Sequence, residues 1–223
     1  MTKIKANTET ASFEKLKLTV RYWLLGRGYT IAHDAMEFAA GWHTGVRKDG
    51  TPEFSHQIWQ ASYARTLSAM LSFPEETIAT IFLHDVLEDY PVKPKEIEDL
   101  FGARIADATV RMSKTIGGLQ LDENFYYRAL AECPIASVAK GIDRMHNHKT
   151  MIGAFSTAKQ GAYIEETSAL VMPMLRDARR TFSKQEPVYE NIKLILLQQM
   201  ELYRYAHASG RGNTPLATAE TTT

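Results

Sequence analysis

Four ionisable side chains crowd the end of one apolar segment. The run Ile81-Phe82-Leu83 leads into His84-Asp85, and Glu88-Asp89 follows one helical turn later. In a helix, residues four apart share a face, so His84 would lie beside Glu88 and Asp85 beside Asp89. Three acids this close repel one another unless a cation lies among them. The segment therefore predicts a bound metal ion.

Two further side chains of metal-ligand type come from distant parts of the chain. His56 follows a turn-rich loop, and Asp143 lies on a late predicted helix. Together with His84 and Asp85 they make a set of two imidazoles and two carboxylates. Such a mixed nitrogen and oxygen set suits manganese, iron or zinc, and it leaves positions for water and substrate.

The neighbours of these ligands indicate a reaction. Glu88 and Asp89 would lie just outside the ligands, where carboxylates can orient a water molecule or move its proton. Arg47 and Lys48 offer donors that fit phosphate oxygens. A metal that activates water, a pair of acids and two cations together predict hydrolysis of a phosphate or pyrophosphate ester.

Each of these residues also has an ordinary interpretation. The dipeptide His33-Asp34 repeats the His-Asp pattern, but no acids follow it, and a solvated helix start explains it. Asp143 could equally form a surface pair with Arg144. Spacing alone favours packing or hydrogen-bonding roles for three other histidines: His43, His146 and His148.

Composition limits the classes of function. Among 223 residues, 26 are Lys or Arg and 26 are Asp or Glu, which gives no argument for a broad nucleic-acid surface or an anionic membrane. The single cysteine, Cys133, excludes an internal disulfide and fits a reducing compartment. Neither a signal-type apolar start nor an apolar run of membrane-spanning length is present. We therefore expect a cytoplasmic protein without membrane contact.

Apolar residues recur with helical periodicity through most of the chain, and no run of alternating β-branched residues is present. The pattern predicts an all-α fold in a single domain. We expect a flexible start over residues 1–10, a domain over 11–207 and a disordered tail over 208–223. The predicted helices span residues 12–25, 30–42, 55–71, 74–90, 103–114, 121–132, 134–148, 158–182 and 187–206, with a short helix ending at Phe101.

Four segments in order resemble motifs of the RelA/SpoT-type alarmone hydrolases. Residues 39–56 (AAGWHTGVRKDGTPEFSH) are similar to the family's H-x-G-Q-x-R-K-(S/D)-G-x-P-Y-x-x-H-P, and residues 82–90 (FLHDVLEDY) to its L-L-H-D-x-(V/I)-E-D-T. Residues 101–106 with Ser113-Lys114 resemble F-G-x-x-(V/I)-A and T-K. Residues 140–150 (KGIDRMHNHKT) resemble K-x-A-D-R-L-H-N-x-(R/K)-T.

The resemblance implies an HD-domain helical bundle of about ten helices. It also implies manganese(II)-dependent removal of the 3′-pyrophosphate from (p)ppGpp, which leaves GDP or GTP and pyrophosphate. The implied metal ligands are His56, His84, Asp85 and Asp143. The implied water-handling acids are Glu88 and Asp89. The implied nucleotide-binding residues are Arg47, Lys48, Asn147, Thr150, Lys159 and Tyr163.

The chain departs from the family pattern at four positions beside the site. Val46 replaces glutamine, Phe54 replaces tyrosine, Gln57 replaces the proline after His56, and Tyr90 replaces threonine. None of these changes removes a ligand or an acid. They leave open whether the nucleotide carries guanine or adenine.

Three alternatives stay open on the sequence alone. The same chemistry could act on ppApp, on NADPH or on pyrophosphorylated tRNA, including a role as antitoxin to a toxic small alarmone synthetase. The chain could instead be a non-catalytic nucleotide-binding module. A homo-oligomer is also open. Because the chain stops where bifunctional family members begin their synthetase domain, we expect no synthesis activity.

Overall fold

A computed structural model of the chain describes residues 2–47, 50–116 and 118–208. The helices are α1 (Thr2–Arg27), α2 (Thr30–Trp42), α3 (Ser55–Ala64), α4 (Pro74–Leu83), α5 (Val86–Asp89), α6 (Pro94–Phe101), α7 (Ala103–Met112), α8 (Glu123–Ala131), α9 (Pro134–Met151), α10 (Thr157–Glu166), α11 (Met172–Thr181) and α12 (Glu186–Ala208). The strands β1 (Thr115–Ile116) and β2 (Leu119–Gln120) form one small antiparallel hairpin.

The all-α prediction is confirmed. The first helix begins at Thr2 and so includes residues 2–10, where the sequence predicts a flexible start. The predicted domain limits stay a prediction. Lys48 and residues 209–223, which include almost all of the predicted disordered tail, lie outside the described residues.

The helix that carries the opening motif is interrupted at the motif. The sequence predicts one helix up to Tyr90, but α4 ends at Leu83 and α5 begins at Val86. His84 explains the break, since its Nδ1 donates to the carbonyl oxygen of Ile81 at 2.8 Å. A side chain that takes a carbonyl of the last turn competes with the backbone for it. The break puts His84 and Asp85 in the turn between α4 and α5.

The long helix predicted over 158–182 is also divided. Between α10 and α11, residues Thr167–Val171 form a π-helical turn just before Pro173. Proline has no backbone N–H and its ring clashes with the preceding turn, so the backbone widens there. Near Pro173 the chain therefore changes helix type locally instead of continuing as one α-helix.

The central helix of the fold is α4, which packs against α2, α3, α7 and α9. Its side chains Ile78, Ile81 and Phe82 are completely buried. Burial of each such side chain stabilises the folded state by about 1.5–3 kcal/mol relative to leaving it exposed. This packing fixes the carboxyl end of α4 against α3 and α9, the helices that carry His56 and Asp143. None of the helices among the described residues has both the length and the apolar character needed to cross a bilayer.

Candidate metal centre and active site

Three helices bring the predicted ligands to one point. His56 lies in the first turn of α3, His84 directly follows α4, and Asp143 lies in the middle of α9. All three side chains are buried, and one ligand atom from each lies within 4.8 Å of the others. The structure thus joins residues that are 28 to 87 positions apart.

The two histidines present the same ring atom to the centre of this cluster. The Nε2 atom of His56 lies 3.1 Å from Oδ1 of Asp143, and the Nε2 atom of His84 lies 3.7 Å from the same oxygen. On the far side of each ring, Nδ1 has another partner, which is the Ile81 carbonyl for His84 and Nδ1 of His146 at 2.6 Å for His56. A second hydrogen bond of this kind orients a metal-binding histidine.

The donor set fits a divalent metal ion. Because Nδ1 of His84 donates to a carbonyl, its Nε2 is left to face the cluster, where it lies 3.0 Å from Oδ2 of Asp85 and 3.7 Å from Oδ1 of Asp143. A buried imidazole nitrogen beside two carboxylates and a second imidazole is the arrangement that a divalent cation between them would bind. Two imidazoles and a carboxylate suit several divalent transition metals.

Electrostatics in the cluster keep its carboxylates ionised. Burial alone would raise the pKa of Asp143, but Lys140 and the two histidines hold it well below its usual range. Burial likewise opposes ionisation of Asp85, yet its neighbour His84 lowers the pKa of Asp85 to about 2. Burial lowers the pKa of His146 to about 3, so its ring is neutral and Nδ1 can accept a hydrogen bond from Nδ1–H of His56.

Asp85, the fourth predicted ligand, lies beside the cluster. Its Oδ2 is 3.0 Å from Nε2 of His84, but Asp85 does not belong to the group whose ligand atoms are all within 4.8 Å. Gln57 donates to the same oxygen at 3.2 Å. The residue that replaces the family proline therefore contacts a predicted ligand directly.

The two predicted water-handling acids lie on α5. The backbone N–H groups of Lys114 and Thr115 both donate to Oε1 of Glu88, which fixes this carboxylate between α5 and β1. Burial and the charges of Asp85 and Glu88 raise the pKa of Asp89 to about 6. One acid is thus held by the backbone, and the other titrates near neutral pH.

A cavity next to the cluster is lined by one of the predicted nucleotide-binding residues, Thr150. It has a volume of about 380 Å³ and lies between α1, α3 and α9, with Trp59, His146 and Thr150 in its walls. Arg47 lies close enough for its charge to lower the pKa of His146. Asn147 instead donates to Oδ1 of Asp143 at 2.9 Å, so it supports a predicted ligand.

Several curated proteins with similar sequences are named for hydrolysis of a guanosine tetra- or pentaphosphate, and two others are named GTP pyrophosphokinase. A Synechocystis sp. protein named "Probable guanosine-3′,5′-bis(diphosphate) 3′-pyrophosphohydrolase" is 33% identical over 136 residues, 57% of this chain and 17% of its own length. "Bifunctional (p)ppGpp synthase/hydrolase SpoT" of Escherichia coli K12 is 28% identical over 178 residues, 73% of this chain and 24% of its own length. A "Guanosine-3′,5′-bis(diphosphate) 3′-pyrophosphohydrolase" of Haemophilus influenzae is 30% identical over 142 residues, 59% and 20% respectively. Over these stretches the chain is similar in sequence to RelA/SpoT-type hydrolases.

These relatives are much longer than the segment that this chain matches. The chain covers no more than 24% of the length of the three relatives above. No model of a protein family matches the chain. The names of these relatives therefore support a proposal of activity for this chain and do not assign one.

Two of the predicted nucleotide-binding residues, Lys159 and Tyr163, contact neighbouring side chains. The Lys159 ammonium lies 4.1 Å from the centre of the Phe155 ring, and the Arg144 guanidinium lies 4.1 Å from the centre of the Tyr163 ring. Neither of these two interactions involves a residue of the metal cluster. Their role toward a nucleotide stays a prediction.

Sequence reasoning missed two residues that contact the cluster. Lys140 donates to Oδ2 of Asp143 at 3.0 Å, and the Gln60 amide lies 2.6 Å from Nε2 of His56. Both were detectable, because Lys140 is three residues before Asp143 and Gln60 is four residues after His56, so each shares a helix face with a ligand.

Proposed function

We propose that the chain hydrolyses (p)ppGpp at its 3′-pyrophosphate, releasing pyrophosphate and leaving GDP or GTP. The observation that carries the proposal is the buried cluster of His56, His84 and Asp143 beside a cavity that Thr150 lines. The reaction named for the curated relatives supports it. We also propose manganese(II) as the ion and a cytoplasmic location, which the single free cysteine fits.

The proposed ligands are His56, His84, Asp85 and Asp143. When bound, a divalent ion there would supply a water of lowered pKa and a positive charge against the phosphate oxygens. The water oxygen bonds to the phosphorus that carries the 3′-oxygen, and the bond between that phosphorus and the 3′-oxygen breaks. The departing 3′-oxygen takes up a proton.

The residues of α5 handle the protons of this step. We assign proton transfer from the attacking water to Glu88 and Asp89, since two backbone N–H groups orient Glu88 and both acids follow Asp85 within one turn. A positioned carboxylate of this kind contributes about 10²–10⁴-fold to rate. Thr150 would contact the nucleotide in the cavity, and we assign phosphate binding to Arg47 and Lys48 from the sequence motif.

Two of the departures from the family motif, Tyr90 and Phe54, lie outside the cavity. The Tyr90 hydroxyl donates to Oε2 of Glu53 at 3.2 Å and contacts Nδ1 of His43 at 3.0 Å, while Phe54 is buried against Phe82. Neither Tyr90 nor Phe54 is among the residues that line the cavity. Both residues fix the loop that carries Arg47.

The proposal is tested by turnover of ppGpp, ppApp and NADPH with manganese(II). We expect ppGpp to be hydrolysed fastest, and Asp85→Ala and Glu88→Ala to remove pyrophosphate release while the fold persists. Asp34→Ala is the matched control, because Asp34 belongs to the other His-Asp dipeptide and its side chain is 74% exposed. Near wild-type turnover in Asp85→Ala or Glu88→Ala would contradict the mechanism.

A further inference from the structure

Gln60 is a buried amide inside the metal cluster that no motif accounts for. Its side chain is fully buried on α3, one turn after His56. The amide nitrogen lies 2.6 Å from Nε2 of His56 and 3.4 Å from Oδ1 of Asp143. The amide oxygen has no hydrogen-bond partner among the described residues. An unsatisfied polar atom at this depth calls for an explanation.

The orientation of the Gln60 amide depends on whether Nε2 of His56 binds a metal ion. If Nε2 of His56 binds a metal ion, its only lone pair is used and it cannot accept a hydrogen bond from Gln60. A half-turn about the terminal bond of Gln60 exchanges the amide oxygen and nitrogen without changing the shape of the side chain. The oxygen then lies beside Nε2 of His56 and near Oδ1 of Asp143.

The spacing of these atoms fits neighbouring ligands of one ion. Ligands about 2.1 Å from an octahedral ion and at right angles to each other are about 3 Å apart. The observed separations are 3.1 Å between His56 and Asp143, and 2.6 Å and 3.4 Å from the Gln60 amide to these two residues. An amide oxygen is a hard, uncharged donor of the kind that manganese and magnesium accept.

We propose that Gln60 supplies its side-chain oxygen as a further ligand of the divalent ion held by His56, His84 and Asp143. This inference rests on the metal site of the proposed function. Because the amide is neutral, it adds an oxygen ligand without adding negative charge beside a pyrophosphate. In the turned orientation the amide oxygen faces the lone pair of Nε2 of His56 and the carboxylate oxygen Oδ1 of Asp143, so a cation between these atoms is what favours that orientation.

The first test is calorimetric titration of manganese(II) into the wild type, Gln60→Leu and Gln60→Glu. We expect Gln60→Leu to weaken the affinity by about tenfold to hundredfold, and Gln60→Glu to bind at least as tightly as wild type, because it keeps an oxygen ligand. Gln160→Leu is the matched control, since buried Gln160 donates to the Phe155 carbonyl instead. Wild-type affinity in Gln60→Leu would overturn the proposal, and so would equal weakening in Gln60→Glu.

A second measurement uses the unmodified side chain and so does not depend on folding of Gln60→Leu. In protein labelled with carbon-13 at the glutamine side-chain carbonyl, saturation with zinc(II) should shift the Gln60 signal downfield. The signal is identified by its loss in Gln60→Glu. A Gln60 signal that stays in place at saturation would overturn the proposal.

Neither readout needs a nucleotide, so the two proposals can fail separately. Weakened manganese(II) binding in Gln60→Leu, together with no turnover of ppGpp by the wild type, would refute the proposed function and support the ligand role. Turnover of ppGpp by the wild type with unchanged affinity in Gln60→Leu would refute only the ligand role. Absence of manganese(II) binding by the wild type refutes the ligand role whatever the turnover.

Discussion

Lys140 donates to Oδ2 of Asp143 at 3.0 Å, while Oδ1 of the same carboxylate lies 3.1 Å from Nε2 of His56. The carboxylate is thus divided between a buried cation and the metal cluster. Lys140 is 12% exposed and Asp143 is 6% exposed at the side chain, so the pair is shielded from water. Because Lys140 occupies one oxygen, only the other faces the cluster, and the geometry favours a single-oxygen ligand.

The first prediction concerns this pair. Lys140→Met should lower the free energy of unfolding by about 3–5 kcal/mol, because it leaves a buried carboxylate without its cation. Urea unfolding of the metal-free protein measures the change. Lys95→Met is the control, because Lys95 pairs with Glu98 and Asp99 on the surface and is 71% exposed. An unfolding free energy of Lys140→Met equal to that of Lys95→Met would contradict the prediction.

The second prediction concerns pH and Glu166. Arg144, Lys114 and Tyr127 all donate to this carboxylate. Although burial raises the pKa of Glu166, Arg144 and the other donors lower it to about 2. A carboxyl group in the unfolded chain titrates near pH 4.3. Ionised Glu166 therefore stabilises the fold above about pH 4.3, and this contribution is lost as the pH falls towards 2.

Glu166→Gln should therefore be less stable than wild type at pH 7 by up to about 3 kcal/mol. The difference should shrink between pH 5 and pH 2. Urea midpoints measured across this range test the prediction. Glu165→Gln, at the exposed neighbouring position, should match wild type throughout. A difference for Glu166→Gln that is constant with pH would show that the carboxylate charge is not the cause.

The third prediction concerns Gln57, whose amide donates to Oδ2 of Asp85 at 3.2 Å. Gln57→Leu should lower turnover of ppGpp by about tenfold to hundredfold, since a hydrogen bond to a charged group contributes about 1.5–3 kcal/mol. Initial rates at saturating manganese(II) measure the effect, with thermal unfolding as a check of the fold. Gln120→Leu, in the exposed strand β2, is the control. Unchanged turnover in Gln57→Leu would exclude a role in holding Asp85.

The fourth prediction concerns the contact between α9 and α12. A Cβ atom at Gly141 would lie 2.8 Å from Cγ2 of Ile192 and 3.0 Å from Cδ2 of Leu175. Gly141→Ala should destabilise the protein by about 1–3 kcal/mol through overpacking, although alanine favours helix. Gly26→Ala, in α1 with no atom within 4 Å of the new Cβ, should be neutral or stabilising. Thermal unfolding of both variants tests this prediction. Equal stability of Gly141→Ala and Gly26→Ala would refute the steric argument.

The sequence predicted the class of fold and the partners of His84 better than it predicted local geometry. Helical periodicity predicted an all-α fold, and the His-Asp and Glu-Asp dipeptides together with the resemblance to the alarmone hydrolases predicted the metal ligands. The break before Asp85 was not predictable, because it depends on a side-chain hydrogen bond from His84 to Ile81. The contact between His56 and Asp143 depends on packing of α3 and α9 against α4, which periodicity does not specify.

The departures from the family motif illustrate the same limit. Gln57 and Tyr90 were recognised as unusual because the family has other residues there, but their effects depend on tertiary contacts with Asp85 and Glu53. Gln60 shares a helix face with His56, but a buried glutamine and an exposed one look alike in a sequence. Its place in the cluster follows from burial and from a distance of 2.6 Å to His56.

The most direct measurement is identification of the products formed from ppGpp labelled in its 3′-pyrophosphate. With manganese(II), we predict that all label appears in pyrophosphate and that GDP is the only nucleotide product. Chelation of the metal or His84→Ala should stop the reaction. Label released as inorganic phosphate, loss of the 5′-phosphates, or full turnover by His84→Ala would contradict the proposed reaction at this cluster.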